Sequence, residues 1–397
     1  MANSILFLTL KIFSDTGGIE KVCRIAGKVL TELDAESPGT GVKVFSMYDG
    51  SASNDEKYIP AGAFRGFGRN KPAFVLAACR AGIKSRQVII SHINLLLPAF
   101  LIKIGSPSTR LILIAHGIEV WQPFSPIKKY MLGKCYQVLA VSNFTKEKMM
   151  AVHGIPAHRI SVLNNCLDPF LPLPIKSGVK DAGLLRRYGL DSGEPLLLTI
   201  TRLSFAEQYK GYDQVFRALR KLKDRYPGIR YLLAGKYDVA EKRRIDALVS
   251  SLGLEDTVIL PGFIPEDELA AHYDMADCYI MPSKKEGFGI VFIEALYYGK
   301  PVIAGNRDGS VDALDKGSLG QLVNPDDLEE ITTAIKNVLD NKQAHLPNHE
   351  FILKKFSYEV YKEKWRLVLG DMVSKAPSPA SLRVEEKALF LPESGEL

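Results

Sequence analysis

Short apolar segments alternate with longer amphipathic stretches along most of this 397-residue chain. Such apolar segments are typical of strands buried on both faces of a parallel sheet, and the stretches between them are typical of the helices that cover it. The predicted strands are 5–10, 42–47, 88–91, 111–115, 138–141, 196–201, 230–234, 257–260, 278–281 and 302–304. The pattern therefore predicts two α/β domains of similar build.

A proline-rich segment at 168–174 separates the two halves, and the chain length favours two domains over one. We place the first domain at 1–175 and the second at 184–356. Residues 357–372 carry Tyr361, Trp365 and Leu369 at helical spacing, which predicts a helix that packs back on the body. The segment 373–397 mixes Pro, Ser and charged residues and is predicted to be a mobile tail.

The cysteines and the N-terminal sequence restrict the compartment. The five cysteines are scattered singly, without a CxxC pair or a histidine at metal-ligand spacing. This usage favours a reducing compartment and argues against a zinc site. Residues 1–10 lack the basic segment and cleavage site of a signal peptide, and no run is long enough to span a membrane. We therefore expect a cytoplasmic protein that is neither exported by this route nor integral to the membrane.

Charge is unevenly distributed in the first half. Residues 57–118 contain nine Lys and Arg and no Asp or Glu, with Phe64, Phe67 and Phe74 among them. One interpretation is that this block docks on an anionic surface, such as the inner face of the plasma membrane. The other is a solvated face whose counter-charges come from elsewhere in the fold. Both interpretations stay open from the sequence.

Polar residues that follow predicted strands are candidates for a binding site, because ligands collect at the carboxyl ends of parallel strands. Gly17 and Gly18 follow the first strand and precede a helix, where paired glycines let a phosphate approach backbone N–H groups. The third glycine of the GxGxxG pattern is absent, which weakens a NAD interpretation. A simple tight turn is the alternative.

Two cations follow the first predicted strand of the second half. Arg202 comes directly after strand 196–201, and Lys210 precedes a helix that begins near Asp213. Such a pair can clamp a diphosphate, Arg through its planar fork and Lys as a point charge. The alternative is two solvated surface cations.

The segment 282–299 is the most informative part of the sequence. A glycine-rich turn follows the strand that ends at Met281, and the helix from about Ile290 is apolar on nearly every side apart from Glu294. A carboxylate in a buried helix must find hydrogen-bond donors, and vicinal ribose hydroxyls would supply them. Glu286, at the turn, would face the same cleft. The alternative for both acids is a salt bridge within the domain.

His116 follows the predicted strand 111–115 at the corresponding edge of the first domain. A lone histidine is usually a packed or surface residue. Only its position after a strand, from which it would face the site of the second domain across a cleft, favours a functional role.

These segments together resemble glycosyltransferase family four, whose members are retaining enzymes with the GT-B fold of two Rossmann-like domains. Within it, the chain is similar to bacterial mannosyltransferases of surface polysaccharide assembly. The resemblance runs to about Met372. It rests, in chain order, on Gly-Gly-Ile-Glu-Lys at 17–21, His-Gly-Ile-Glu at 116–119, Val-Ser-Asn-Phe-Thr at 141–145, Arg202, Lys-Gly-Tyr-Asp at 210–213, Pro-Gly-Phe-Ile at 261–264, Glu-Gly-Phe-Gly at 286–289 and Glu294. The chain departs from the family at 164–168, where Asn-Asn-Cys-Leu-Asp replaces the usual Pro-Asn-Gly-Val-Asp.

The resemblance implies that a nucleoside diphosphate sugar lies in a cleft between the domains. Glu294 would hold the ribose, and Arg202 and Lys210 the diphosphate. Gly17 and Gly18 would complete the phosphate cradle from the other domain.

The resemblance also implies where the sugar and the base would lie. His116 would reach the sugar near the reacting carbon, and Glu286 would bind sugar hydroxyls, so these two are the predicted catalytic residues. The remaining predicted donor-binding residues are the backbone of Phe288, Gly289 and Ile290 beside the sugar, and Ile264 and Glu266 in the loop that faces the base.

The donor and acceptor follow less directly. A carboxylate at Glu266 could accept from guanine N1 and N2, which favours GDP-mannose, although an ordinary acid at a helix start is the alternative. UDP-glucose and UDP-N-acetylglucosamine stay open as donors. The expected partners are this donor and a lipid-linked or oligosaccharide acceptor of cell-surface polysaccharide synthesis, and no nucleic acid.

The chain has no Asp-x-Asp triplet. The resemblance implies a metal-independent reaction that needs no cofactor beyond its nucleotide-sugar substrate. A non-catalytic nucleotide-sugar binding module is the rival hypothesis from another class. An epimerase or a phosphorylase on the same fold is the rival within enzymes.

Overall fold

The computed structural model describes residues 4–36, 41–175 and 180–370. The described strands form two sheets in which every neighbouring pair is parallel. The strands of the first sheet are β1 (Ile5–Thr9), β2 (Val42–Ser46), β3 (Phe64–Gly66), β4 (Gln87–Ile90), β5 (Arg110–Ala115), β6 (Gln137–Ala140) and β7 (Ile160–Val162). Their order across the sheet is β3-β2-β1-β4-β5-β6-β7.

The second sheet repeats this arrangement. Its described strands are β8 (Leu196–Ile200), β9 (Arg230–Ala234), β10 (Val258–Ile259), β11 (Cys278–Met281), β12 (Val302–Gly305) and β13 (Gln321–Val323). Their order is β10-β9-β8-β11-β12-β13. In both sheets the order reverses beside the first strand of the domain, which is the doubly wound topology. The predicted fold class of two Rossmann-like parallel-sheet domains is confirmed.

Helices cover both sheets. In the first half they are α1 (Gly18–Glu36), α2 (Lys71–Gly82), α3 (Leu96–Gly105), α4 (Ile118–Trp121), α5 (Pro126–Gly133) and α6 (Asn143–His153). In the second half they are α7 (Ala182–Tyr188), α8 (Tyr212–Leu222), α9 (Val239–Ser251), α10 (Leu269–Met275), α11 (Ile290–Tyr297), α12 (Ser310–Ala313), α13 (Leu328–Asp340), α14 (His349–Phe356) and α15 (Tyr358–Gly370). Central strands such as β1, β4 and β11 are buried along their whole length, because helices pack on both faces.

All ten predicted strands are present, with ends that differ from the prediction by at most one residue. The sequence pattern missed β3, β7 and β13, which have three residues each. All three lie at the edge of a sheet and contain a polar residue. A short strand that is buried on fewer sides has no continuous apolar run to reveal it.

The two halves are joined by the 164–168 segment and by the last described helix. The Tyr58 hydroxyl donates to Asp168 at 2.7 Å, which ties this segment to the first domain, and the Leu167 N–H donates to the Phe356 carbonyl of the second domain at 2.8 Å. Helix α15 follows the second domain but packs on α1 of the first, with Trp365 buried and Lys362 ion-paired to Glu32. The predicted tail at 373–397 lies outside the described residues.

Within residues 4–36, 41–175 and 180–370, no helix is both long enough and apolar enough to cross a membrane.

Candidate active site

The carboxyl edges of the two sheets meet at two glycines. A Cβ added at Gly117, whose φ is +147°, would lie 2.8 Å from the Cα of Gly287. A side chain at Gly287 would in turn collide with the His116 carbonyl oxygen. His116 and Glu286, the predicted catalytic residues, therefore lie on loops of different domains that touch through their backbones.

Glu286 forms a largely buried ion pair with Lys210, and the two side chains are 13% and 14% exposed. Burial alone would lower the pKa of Lys210, but the adjacent Glu286 carboxylate outweighs burial and raises this pKa above its ordinary value. The salt bridge within the domain, which was the alternative for Glu286, is thus present. The lysine of this salt bridge, Lys210, is one of the predicted donor-binding residues. The structure thus brings together two of the predicted site residues, Lys210 and Glu286.

Asp308, which was not predicted, holds the Glu286 turn in place. Its buried carboxylate accepts from the Glu286 N–H and the Ser283 hydroxyl at 2.7 Å each, and from the Ser310 N–H at 2.9 Å. Burial raises the pKa of Asp308 to about 6. The sequence offered one signal for this residue, namely its place just after the predicted strand 302–304.

Glu294, in the apolar helix α11, pairs across the cleft with Lys21 of α1. The Lys21 Nζ lies 2.5 Å from the Glu294 Oε1, and the two side chains are 17% and 5% exposed. Burial acts to lower the pKa of Lys21, and the charge of Glu294 reverses that effect and raises it. Lys21 belongs to the Gly-Gly-Ile-Glu-Lys motif, but no role was predicted for it.

Gly17 and Gly18 lie where α1 begins, and their role as a phosphate cradle stays a prediction. The Glu20 carboxylate folds back against Gly17, where a Cβ would collide with its Oε2 atom. Burial raises the pKa of Glu20. A phosphate bound at this helix start would therefore have to displace the Glu20 carboxylate or meet it protonated.

Arg202 extends toward the same region from the second domain. Its guanidinium bonds to Glu207, and this bond raises the pKa of Arg202, with smaller contributions from other groups that include Asp15. Its side chain is 66% exposed. Since Asp15 belongs to the loop before α1, Arg202 lies within electrostatic range of that loop.

His116 is buried, and its Nε2 bonds to the Ser91 carbonyl at 2.8 Å. Because a carbonyl only accepts, Nε2 carries the proton and Nδ1 is left as the acceptor. Its backbone N–H donates to Glu119 at 2.6 Å. Burial lowers the pKa of His116 to about 4. The ring is therefore neutral at pH 7.

The remaining predicted donor residues line the second-domain side. The Phe288 ring packs in the core against Phe356, with ring centroids 5.9 Å apart, so only its backbone can face the cleft. Gly289 has φ +81° just before α11 begins at Ile290. Ile264 is buried, whereas Glu266 is exposed.

The charge of Glu266 nevertheless contributes to raising the pKa of Lys21, the partner of Glu294. Glu266 therefore lies within electrostatic range of the Lys21–Glu294 pair. Among the described residues, no group of three or more His, Cys, Asp and Glu is arranged to hold a metal ion. The metal independence of the reaction stays a prediction.

Comparison with known proteins covers both halves. The family model described as Glycosyltransferase Family 4 matches residues 17–169, and the one described as Glycosyl transferases group 1 matches residues 184–352. A GDP-mannose-dependent alpha-(1-6)-phosphatidylinositol monomannoside mannosyltransferase of Mycolicibacterium smegmatis is 30% identical over 243 residues, which are 58% of this chain and 61% of the relative. The match thus spans about three fifths of that relative's length.

A second relative aligns over more of the chain. D-inositol 3-phosphate glycosyltransferase of the same organism is 26% identical over 357 residues, which are 80% of this chain and 78% of that relative. The crystal structure of Anabaena Alr3699/HepE in complex with UDP superposes with a TM-score of 0.76 and 19% identity, over 93% of this chain and 100% of that one. At this identity the superposition shows the shared fold alone. With both halves matched in chain order on this fold, the chain belongs to glycosyltransferase family 4 and has the GT-B fold.

Proposed function

We propose that this chain is a retaining, metal-independent hexosyltransferase that moves mannose from GDP-mannose to a lipid-linked or oligosaccharide acceptor. The observation that carries the proposal is the buried Lys210–Glu286 pair at the carboxyl edge of the second sheet, beside the His116 loop of the other domain. A buried ion pair is weak evidence for a stabilising role, because apolar residues of similar volume often stabilise as well. A ligand that needs both charges explains the pair better.

The diphosphate would lie between Lys210 and Arg202. Lys210 has three N–H donors and gives one to Glu286, so two are left for phosphate oxygens. Arg202 is exposed enough to exchange Glu207 for a phosphate. As the bond to the anomeric carbon breaks, negative charge grows on the leaving diphosphate, and these cations with the first amides of α11 would stabilise it. The leaving phosphate would then take the acceptor's proton.

The sugar would lie between Glu286 and His116. The second carboxylate oxygen of Glu286 can accept from a sugar hydroxyl while the first stays on Lys210. His116 is neutral and its Nε2–H donates to the Ser91 carbonyl, so its Nδ1 would accept a hydrogen bond from a sugar hydroxyl and the ring would not act as a general acid. Asp308 fixes the Glu286 turn and is a positioning residue.

The nucleoside would lie between Glu294 and Glu266. Glu294 would either release Lys21 and bond to the ribose hydroxyls, or bond to Lys21 through one carboxylate oxygen and to the ribose hydroxyls through the other. Glu266 lies within electrostatic range of Lys21. A carboxylate beside the base would suit the N1 and N2 hydrogens of guanine. The relative at 30% identity, whose name states GDP-mannose dependence, supports the same donor.

The test is release of nucleoside diphosphate from GDP-mannose, UDP-glucose and UDP-N-acetylglucosamine in the presence of a chelator. We expect slow release from GDP-mannose that falls about a hundredfold in Glu286→Gln. The matched control is Glu350→Gln, which removes an exposed acid that pairs with Lys354 on α14. This control should release GDP at the wild-type rate.

The other outcomes separate the alternatives. Release from a UDP-sugar alone would overturn the guanine assignment and keep the transferase. Thermal protection by a nucleotide sugar without release, even with membrane extract added as a source of acceptor, would indicate a binding module. If no donor gave either thermal protection or release of nucleoside diphosphate, the proposal as a whole would be contradicted.

A further inference from the structure

One helix of the first domain is apolar on its outer side as well as on its inner side. Leu96, Ala99 and Ile102 of α3 are buried in the core. Leu97, Leu101 and Ile104, which form a stripe at helical spacing, are 56%, 40% and 63% exposed. A surface helix normally turns polar residues outward, so this stripe needs a partner.

Neighbouring helices extend the stripe on both sides. Ile83, at the end of α2, is 41% exposed and lies against Gly105, where a Cβ would meet it at 2.8 Å. On the other side, the Tyr130 ring of α5 packs edge-on against Phe100 of α3, with centroids 5.8 Å apart. Tyr130 and its neighbour Ile127 are 58% and 73% exposed. We call this surface the α3 face, and it comprises Ile83, Leu97, Leu101, Ile104, Ile127 and Tyr130.

The α3 face is surrounded by positive charge. Residues 57–146 contain 13 Lys and Arg and a single acid, Glu119. That acid accepts from the His116 N–H in the cleft. The exposed cations on or beside the same helices are Arg80, Lys84, Lys129 and Lys134. The Lys134 Nζ lies 4.6 Å from the centre of the Tyr130 ring, which places charge directly on the apolar face.

The phenylalanines that the sequence placed in the basic block do not belong to this face. Phe67 and Phe74 are buried in the core, with ring centroids 5.3 Å apart, and Phe64 is partly buried against Phe13.

The α3 face begins at the cleft. The Lys128 Nζ of α5 bonds at 3.3 Å to Asn94, in the loop between β4 and α3. The same loop starts at Ser91, whose carbonyl holds the His116 ring. A flat partner that covered the α3 face would therefore end next to the predicted sugar site.

We infer that the α3 face docks on an anionic phospholipid bilayer, with the Leu and Ile side chains among the head groups and the Lys and Arg side chains on lipid phosphates. A bilayer fits better than a protein partner, because the surrounding charge is of one sign over three helices, whereas protein surfaces mix both signs. This inference rests on the proposed function only in that a bilayer there would deliver a lipid-borne acceptor to the cleft.

The test is co-sedimentation of the full chain with vesicles of phosphatidylcholine, alone or mixed equally with phosphatidylglycerol. We expect binding to the mixed vesicles at low salt, weaker binding at high salt, and little binding to phosphatidylcholine alone. The triple variant Leu97→Gln, Leu101→Gln, Ile104→Gln should bind the mixed vesicles about tenfold or more weakly. Lys129→Glu with Lys134→Glu should give a similar loss at low salt.

Two matched variants serve as controls away from the α3 face. Val239→Gln, Leu346→Gln and Leu367→Gln together replace apolar side chains that are 69%, 41% and 61% exposed. Arg220→Glu with Lys336→Glu reverses two exposed charges on α8 and α13. Both control variants should bind vesicles as the wild type does.

Three results would overturn the inference. The first is that the wild-type protein does not bind anionic vesicles at low salt. The second is that the triple α3 variant binds them as the wild type does. The third is that the control variants lose as much vesicle binding as the α3 variants. All variants should release GDP from GDP-mannose in solution at the wild-type rate. Loss of vesicle binding with intact release thus separates this inference from the proposed transferase activity.

Discussion

Glu286 and Glu294 are eight residues apart, and each pairs with a lysine, but the two pairs are built differently. Lys210 reaches Glu286 from the same domain, and Asp308 of that domain fixes the turn. Lys21 reaches Glu294 from the other domain. The Lys210–Glu286 pair therefore forms within the second domain alone, whereas the Lys21–Glu294 pair forms only while the two domains are in contact.

This difference assigns the two acids to different tasks. The group proposed to contact the reacting sugar is held rigidly within one domain, so its geometry is set before the donor arrives. The group proposed to hold the ribose links donor binding to the approach of the domains. This assignment is wrong if removal of Lys21 and removal of Lys210 change donor turnover in the same way.

The largest effect is expected for Lys210→Met. The change removes the cation from beside the leaving diphosphate and leaves Glu286 without its partner, so we expect kcat to fall about a hundredfold or more. The control is Lys221→Met, which removes an exposed lysine near the end of α8 that pairs with Glu329 of α13. The measurement is the steady-state rate of donor turnover, and a kcat within threefold of wild type would refute the role of this pair.

The first-domain side of the cleft can be examined through pH. Burial lowers the pKa of His116 from an ordinary value of 6.5 to about 4, so the unfolded chain binds this proton first as pH falls. The contribution of His116 to the free energy of unfolding is therefore fully present above about pH 6.5. It is lost progressively toward pH 4, by about 3 kcal/mol in all.

His116→Gln should reduce the pH dependence of stability over this interval by about that amount, as measured by urea unfolding at several pH values. The control is His158→Gln, at an exposed position. Equal slopes for wild type and His116→Gln would show that His116 is not held neutral by burial.

Asp308→Ala tests whether the first pair is held from within its own domain. The change leaves the Glu286 N–H and the Ser283 hydroxyl without their buried acceptor, which should lower the free energy of unfolding by about 2 kcal/mol. Donor KM should change less than kcat, because the turn carries the catalytic group. If KM alone changed, Asp308 would act on binding and would not position Glu286.

The smallest effect is expected for Lys21→Met. Loss of the interdomain pair should let the domains separate, which small-angle scattering would record as a larger radius of gyration. Donor KM should rise about tenfold, with kcat nearly unchanged. A fall in kcat as large as that of Lys210→Met, at unchanged radius, would erase the distinction between the two pairs.

Much of this site could be predicted from the sequence, because the strands are apolar runs and the polar residues that follow them must lie at one edge of each sheet. That rule located His116, Arg202, Lys210 and Glu286. It did not show that Lys210 and Glu286 would bond to each other, since a motif gives positions along the chain and not distances in space.

Contacts that depend on packing between distant segments were missed. Lys21 and Glu294 are 273 positions apart, and their contact depends on how the two domains meet. The Glu20 carboxylate against Gly17 depends on a side-chain rotation that the Gly-Gly motif does not specify. The α3 stripe was missed for the opposite reason, because buried and exposed leucines look alike in an apolar helix.

The most direct test is a crystal structure of the full chain with GDP in the presence of a chelator. We expect the ribose hydroxyls to bond to Glu294, the diphosphate to contact Lys210 and Arg202, and the guanine to lie beside Ile264 and Glu266. A nucleotide bound outside the cleft, or in the cleft with its phosphates away from both cations, would contradict this expectation.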